Sequence, residues 1–164
     1  MEHINDESTF NSPPPMGWLF QTIVSGGQTG ADRAALDWAI SQNIAHGGWC
    51  PSGRMATDGP LASKYMLRET ESTGYRLRTK LNVQDSDATL IFNSGVLDGG
   101  TLQTVRFAQK LNKPHRIFQI DGADLMLVAQ EVASWQWQAN SQYLILLVHA
   151  KKSGLEYTLW CFLP

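Results

Sequence analysis

Cysteine, long apolar runs and excess positive charge are all scarce in this sequence of 164 residues. The two cysteines, Cys50 and Cys161, cannot form a disulfide framework, and their separation fits no familiar metal-ligand spacing. The formal net charge of -2 leaves no positive field that would attract DNA or RNA. We therefore expect a cytoplasmic protein with no metal site and no nucleic-acid partner.

The apolar segments are too short to cross a membrane, which takes roughly 18 residues or more. The longest run, Tyr143–Val148, is typical of a buried strand, so no membrane partner is predicted. The first residues, MEHINDESTFNSPPPMG, carry acids and prolines where an export signal needs a basic patch and an apolar segment. Residues 1–17 are predicted to be a disordered tail and residues 18–164 a single domain.

Along that domain, short apolar segments alternate with amphipathic ones. Strands are predicted over Phe20–Ser25, Ile44–Trp49, Asp87–Phe92 and Arg116–Ile120. Helices are predicted over Thr29–Asn43, Lys64–Glu71, Thr79–Asp85, Thr101–Leu111 and Gly122–Gln138, with a long loop at Cys50–Pro60. This order predicts an α/β fold, a three-layer Rossmann-like domain with a mostly parallel sheet and helices on both faces.

The most informative segment is IVSGGQTGADR at Ile23–Arg33, which joins a predicted strand to a predicted helix through three glycines. Glycine lets the backbone approach a ligand closely, and the first amides of a helix attract anions. The segment matches neither the dinucleotide fingerprint nor the P-loop. We predict that it holds an anionic, phosphorylated small molecule. The alternative is a structural turn in which Thr29 and Asp32 form a capping box.

A second glycine pair occurs in LDGGTLQT at Leu97–Thr104, again between a predicted strand and a predicted helix. A parallel sheet places both loops at the carboxyl ends of its strands, where ligands bind. The two loops can therefore face one ligand. The alternative is a plain helix start with Thr101 as its N-cap.

Four segments resemble the molybdenum-carrier family, a Rossmann-like group related to the lysine-decarboxylase-like cytokinin phosphoribohydrolases. They are SGGQTGADRAALDWAI, GGWCPSGRMATDGP, RTKLNVQDSDATLIF and GGTLQTVRFAQKLNKP, in order from about Ile23 to Pro114. The resemblance implies a binding or carrier protein for a phosphorylated small molecule. The implied ligand is the molybdenum cofactor (molybdopterin) or a nucleotide-like molecule, held by glycine loops at the carboxyl edge of the sheet.

The alternative function is hydrolysis of a nucleotide N-glycosidic bond, as the phosphoribohydrolases perform. Their loop has the form PGGxGTxxE, and aligning its Gly-Thr with Gly100 and Thr101 places Thr104 at the position of the catalytic glutamate. Threonine cannot act there as a general acid or base. The sequence therefore favours binding over catalysis, and no catalytic residue is predicted.

The candidate ligand-binding residues combine the two glycine loops with polar side chains of the matched segments. Arginine can bind phosphate or molybdate-like oxyanions through two hydrogen bonds, and each arginine is equally compatible with a surface salt bridge. The predicted set is Ser25, Gly26, Gly27, Gln28, Thr29, Gly30, Asp32, Arg33, Arg54, Asp58, Arg78, Asn82, Asp87, Gly99, Gly100, Thr101 and Thr104.

The C-terminal sequence departs from the family. Relatives usually carry a segment like LNVAGPR, whereas this chain reads LILLVHAKKSGLEYTLWCFLP. Divergence and a shifted reading frame after about Leu144 both remain open. The number of subunits is open as well, and a homo-oligomer is one alternative.

Overall fold

Nine strands and four α-helices make up the part of the chain that the computed structural model describes, residues 21–139 and 143–149. The strands are β1 (Thr22–Val24), β2 (Ala45–Gly47), β3 (Trp49–Cys50), β4 (Met55–Ala56), β5 (Gly59–Pro60), β6 (Arg68–Glu69), β7 (Ala88–Asn93), β8 (His115–Gln119) and β9 (Tyr143–His149). The helices are α1 (Ala31–Ser41), α2 (Tyr75–Asp85), α3 (Gly99–Lys110) and α4 (Leu125–Ala139), and a short 3-10 helix spans Ser52–Arg54.

Five of these strands form one parallel sheet in the spatial order β2-β1-β9-β7-β8. The last strand in the chain, β9, lies at the centre and pairs with β1 on one side and β7 on the other. In the usual doubly wound order the first strand holds that central place. The α/β Rossmann-like fold is confirmed, and its central position is filled from the far end of the sequence.

Alternating side chains of the strands pack against helices on both faces of the sheet. Ile23 packs with Ala35 of α1 and Val132 of α4 in one buried cluster. Its neighbour Val24 packs with Val83 of α2 and Phe107 of α3 in another. Burying one such side chain contributes about 1.5–3 kcal/mol. The helices therefore flank the sheet in pairs, which gives the three predicted layers.

The segment between β3 and α2 forms a small cover over the outer side of α1. The strands β4 and β5 make an antiparallel hairpin whose tip is Thr57 and Asp58, and β3 pairs with β6. Buried side chains of the segment, including Leu61 and Tyr65, pack around Leu36 of α1. The cover brings the hairpin tip to the beginning of α1.

The helix predicted over Lys64–Glu71 is wrong. Arg54 donates hydrogen bonds to the backbone oxygens of four residues in this region, Leu61, Ala62, Tyr65 and Leu67. Carbonyls that accept from a guanidinium are held away from the spacing of a helix, so the chain runs as turns and the short strand β6. The other helices are confirmed, with α2 beginning at Tyr75 rather than Thr79 and α4 at Leu125 rather than Gly122.

Two predictions concern parts of the chain outside the described residues. They are the tail at residues 1–17 and most of the divergent sequence after about Leu144, of which residues 150–164 are not described. The strand predicted over Tyr143–Val148 is confirmed as β9. None of the described helices is long and apolar enough to span a membrane.

Candidate ligand site at the carboxyl edge of the sheet

The first glycine loop follows β1 directly and ends where α1 begins. Gly27 and Gly30 have φ angles of 71° and 86°, in the left-handed region that favours glycine. Gly30 is the N-cap residue of α1 and makes no side-chain cap hydrogen bond. The capping-box alternative is wrong, because the Asp32 carboxylate accepts from the Gln28 amide (3.4 Å) instead of from a Thr29 cap.

Gly26 is in contact with a buried ion pair. The Nη1 atom of Arg78 lies 2.8 Å from Oδ2 of Asp32, and both side chains are more than nine-tenths buried. A Cβ atom on Gly26 would lie 1.6 Å from that Nη1 atom. The loop backbone therefore packs against the Arg78 guanidinium, and glycine at this position leaves the space that the guanidinium fills.

Two polar atoms of this ion pair remain unpaired within the described part of the chain. They are Oδ1 of Asp32 and Nε of Arg78, and both are buried. Buried polar atoms in proteins nearly always have a hydrogen-bond partner. An acceptor and a donor thus adjoin the glycine loop with unused hydrogen-bonding capacity.

The hairpin tip binds the outer side of the same loop. Arg33 donates to both carboxylate oxygens of Asp58, at 2.5 and 3.0 Å, and to the Gly27 carbonyl at 3.2 Å. Oε1 of Gln28 accepts from the amides of Thr29 and Thr57, each at 2.9 Å. The Arg33 hydrogen bond holds the pKa of Asp58 below its ordinary value. The hairpin tip thus meets the loop through two groups of contacts, Arg33 with Asp58 and Gln28 with Thr29 and Thr57.

The second glycine loop leads into α3 on the other side of β9. Asp98 is the N-cap residue of α3 and makes no side-chain cap hydrogen bond. Thr101 lies inside the helix and is buried, so the alternative that makes it the N-cap is wrong. Thr104 is also buried, and its hydroxyl donates to the Gly100 carbonyl at 3.0 Å. Both α1 and α3 therefore begin at this edge with first-turn amides that no side chain caps.

Three residues of the predicted set do not join the others. The Arg54 guanidinium donates its hydrogen bonds to backbone carbonyls of the cover. The side-chain amide of Asn82 accepts from the Trp49 amide at 2.7 Å and donates to the Trp49 carbonyl at 3.0 Å. Asp87 precedes β7 and so lies at the amino edge of the sheet, about 20 Å from the carboxyl edge for a strand of this length.

Asn93 and Asp121 are functional candidates that the sequence reasoning missed. Asn93 ends β7, is fully buried, and donates from Nδ2 to the Gly95 carbonyl (2.8 Å), while its Oδ1 has no partner among the described residues. The carboxylate of Asp121, after β8, accepts from the Ser94 hydroxyl and the Gly95 amide, each at 2.5 Å. The sequence carries a signal for Asn93, because a polar residue ends the mostly apolar strand ATLIFN.

Within residues 21–139 and 143–149, no group of three or more His, Cys, Asp or Glu side chains could hold a metal ion. Cys50 is buried, and burial raises the pKa of its thiol. The chemistry that this edge offers is hydrogen bonding from backbone amides and from the Asp32 and Arg78 side chains.

The comparisons with known proteins concern the family and the fold of the chain. The sequence profile of the circularly permutated YpsA SLOG family matches residues 23–150. A crystal structure from Syntrophus aciditrophicus, described as a "putative molybdenum carrier protein", shares 40% identity and a TM-score of 0.82. The match covers 88% of this chain and 92% of that one. No curated protein matches the chain.

Proposed function

Because the chain belongs to the circularly permutated YpsA SLOG family, we propose that it is a binding or carrier protein for a phosphorylated small molecule. The name of the Syntrophus relative supports a cargo that contains molybdenum, and the molybdenum cofactor is the ligand of this kind that we propose. A nucleotide-like ligand is the alternative within the class of phosphorylated small molecules. The proposal includes a cytoplasmic location, on the basis of the low cysteine content, and no nucleic-acid partner, on the basis of the net charge of -2.

The observation that carries the proposal is the pair of helix starts at one edge of the sheet. The helices α1 and α3 follow the strands on either side of β9, and neither has a side-chain cap. First-turn amides and the helix dipole together favour a bound phosphate. Strands two places apart are separated by about 10 Å, which matches the span of a small molecule with a phosphate at one end.

The buried ion pair supplies the second part of the recognition. Oδ1 of Asp32 is an acceptor without a partner and Nε of Arg78 is a donor without one, within the described residues. Pterin and purine rings carry both N–H donors and acceptor atoms, so either ring fits this combination. In this proposal the amides bind the phosphate, while Asp32 and Arg78 bind or orient the ring.

Gly100 gives a clean test, because a Cβ atom there would meet nothing within 4 Å. An aspartate in the first turn of α3 suits the helix dipole and repels a bound anion. We expect the wild type and Gly100→Ala to bind a phosphorylated ligand, and Gly100→Asp to bind it at least about tenfold more weakly, which corresponds to about 1.4 kcal/mol. Native mass spectrometry of the purified full chain would show any ligand that co-purifies.

In parallel, molybdate, inorganic phosphate and AMP would be titrated into each protein while backbone amide NMR signals are followed. We expect shifts at Gly30, Ala31 and Asp32 and at the beginning of α3. A protein without a co-purifying mass and without such shifts for any of the three probes would refute the proposal. Free adenine released from AMP would overturn the non-catalytic role.

A further inference from the structure

A groove of about 630 Å³ lies between α2 and α3. Its size falls within the range of about 300–1,000 Å³ that is usual for small-molecule sites. No residue of either glycine loop lines it. We call it the α2–α3 groove, and the side chains that define it here are Arg76, Leu77 and Lys80 of α2 with Phe107, Lys110 and Leu111 at the end of α3.

The α2–α3 groove is basic in a chain whose net charge is -2. Arg76, Lys80 and Lys110 line it, and no acidic side chain does. Neither lysine joins any ion pair found within the described part of the chain. A concave site lined by charges of one sign raises the local concentration of oppositely charged ligands.

Apolar side chains lie beside these cations. Arg76 is held over the Phe107 ring, with its Cζ atom 5.6 Å from the ring centroid, and it donates to Oε1 of Gln103 at 3.4 Å. Leu77 and Leu111 are only partly buried, so they present apolar surface to the groove. A ligand that satisfies the whole groove has both an anionic group and an apolar body.

We propose that the α2–α3 groove binds an organic phosphate of mononucleotide size. The phosphate contacts Lys80 and Lys110, and the planar ring rests on Leu77 and Leu111. This site is separate from the glycine loops and does not depend on the function proposed for them. The two sites use different parts of the same two helices. Helix α2 carries Arg78 toward Gly26 and Lys80 toward the groove, and α3 begins at the second glycine loop and ends at the groove.

The experiment titrates AMP into the ¹⁵N-labelled full chain, with adenosine and inorganic phosphate as partial ligands. We expect saturable shifts of the amides at Arg76–Lys80 and Phe107–Leu111, strongest with AMP because only AMP has both the phosphate and the ring. The double variant Lys80→Gln/Lys110→Gln removes two exposed cations and should weaken this binding about tenfold. Arg106→Gln, the loss of one charge at an exposed site on α3 outside the groove, should leave the binding unchanged.

Three results would overturn the proposal. The first is the absence of AMP-dependent shifts in these two segments at millimolar concentration. The second is shifts confined to the glycine loops, which would place AMP at the carboxyl edge alone and leave the proposed function standing. The third is shifts of the groove amides that depend on protein concentration and not on AMP, which would identify the groove as an interface between two copies of the chain.

Discussion

At Gly26 the Arg78 guanidinium fills the space that a methyl group would need. Gly26→Ala must displace a side chain that is paired with Asp32 in a buried site. Overpacking of this kind costs about 1–3 kcal/mol, and breaking a buried ion pair costs more. We expect Gly26→Ala to lower the free energy of unfolding by about 2 kcal/mol or more, measured by urea denaturation.

Gly100→Ala is the matched control for that substitution. Its added methyl group meets nothing within 4 Å, and alanine is a better helix former than glycine by about 0.5–1 kcal/mol. We therefore expect Gly100→Ala to be neutral or slightly stabilising. Equal losses from the two substitutions would contradict the packing of Arg78 on the loop.

The ion pair between Arg33 and Asp58 is predicted to depend on pH. The folded pKa of Asp58 lies below the ordinary value of 3.8 because Arg33 donates to the carboxylate. The ion pair between Arg33 and Asp58 is therefore complete at neutral pH and is lost as the pH falls below that ordinary value and through the lowered folded pKa. In Arg33→Gln the pKa of Asp58 should rise toward 3.8, which a ¹³C NMR titration of the carboxyl carbon would show. An unchanged titration curve would mean that Arg33 does not hold Asp58 in solution.

Among the elements, those with strong local patterns could be predicted from the sequence, and the cover over α1 could not. For helices α1 and α3, the spacing of apolar residues and a preceding glycine pair predict the helix. Residues 64–71 look helical by composition, but the carbonyls of Tyr65 and Leu67 accept from Arg54, which lies more than ten residues earlier in the chain. Local pattern carries no information about a long-range contact of that kind.

The cover therefore depends on one planar side chain. Lysine in place of Arg54 has three donors on a single point charge and lacks the planar guanidinium that reaches four carbonyls. We expect Arg54→Lys to destabilise the protein by about 1–3 kcal/mol through unpaired carbonyls. Amide exchange should become faster at Leu61 and Thr70, whose N–H groups bond to the carbonyls of Arg54 and Cys50.

Arg68→Lys is the comparison within the same cover. The Arg68 side chain is 64% exposed, and its contacts are Asp85 and the face of Trp49. Exposed pairs of this kind contribute less than about 1 kcal/mol. Amide exchange at Leu61 that responded equally to both substitutions would contradict the organising role of Arg54.

At the scale of the whole molecule, the parallel α/β architecture follows from the alternation of strands and helices, but the order of strands in the sheet does not. Sequence order placed the two glycine loops correctly, because each directly follows a strand and so lies at the carboxyl edge. It misplaced Asp87, which precedes a strand and lies at the opposite edge. The central position of β9 rests on pairing between distant segments, which a single sequence does not display.

The central position of β9 predicts different effects of proline at two isoleucines, Ile145 and Ile117. Ile145 in β9 stands opposite Val24 on one side and Thr89 on the other, whereas Ile117 lies in β8, the outermost strand beside β7 in the described sheet. The Ile120 amide donates to the Asn93 carbonyl, so by alternation the Ile117 amide points away from β7. Proline inside a sheet removes a hydrogen bond between strands, and it is tolerated where an edge amide faces outward. We expect Ile145→Pro to abolish cooperative unfolding in urea and Ile117→Pro to retain it at a lower midpoint, and equal damage from the two would contradict the central place of β9.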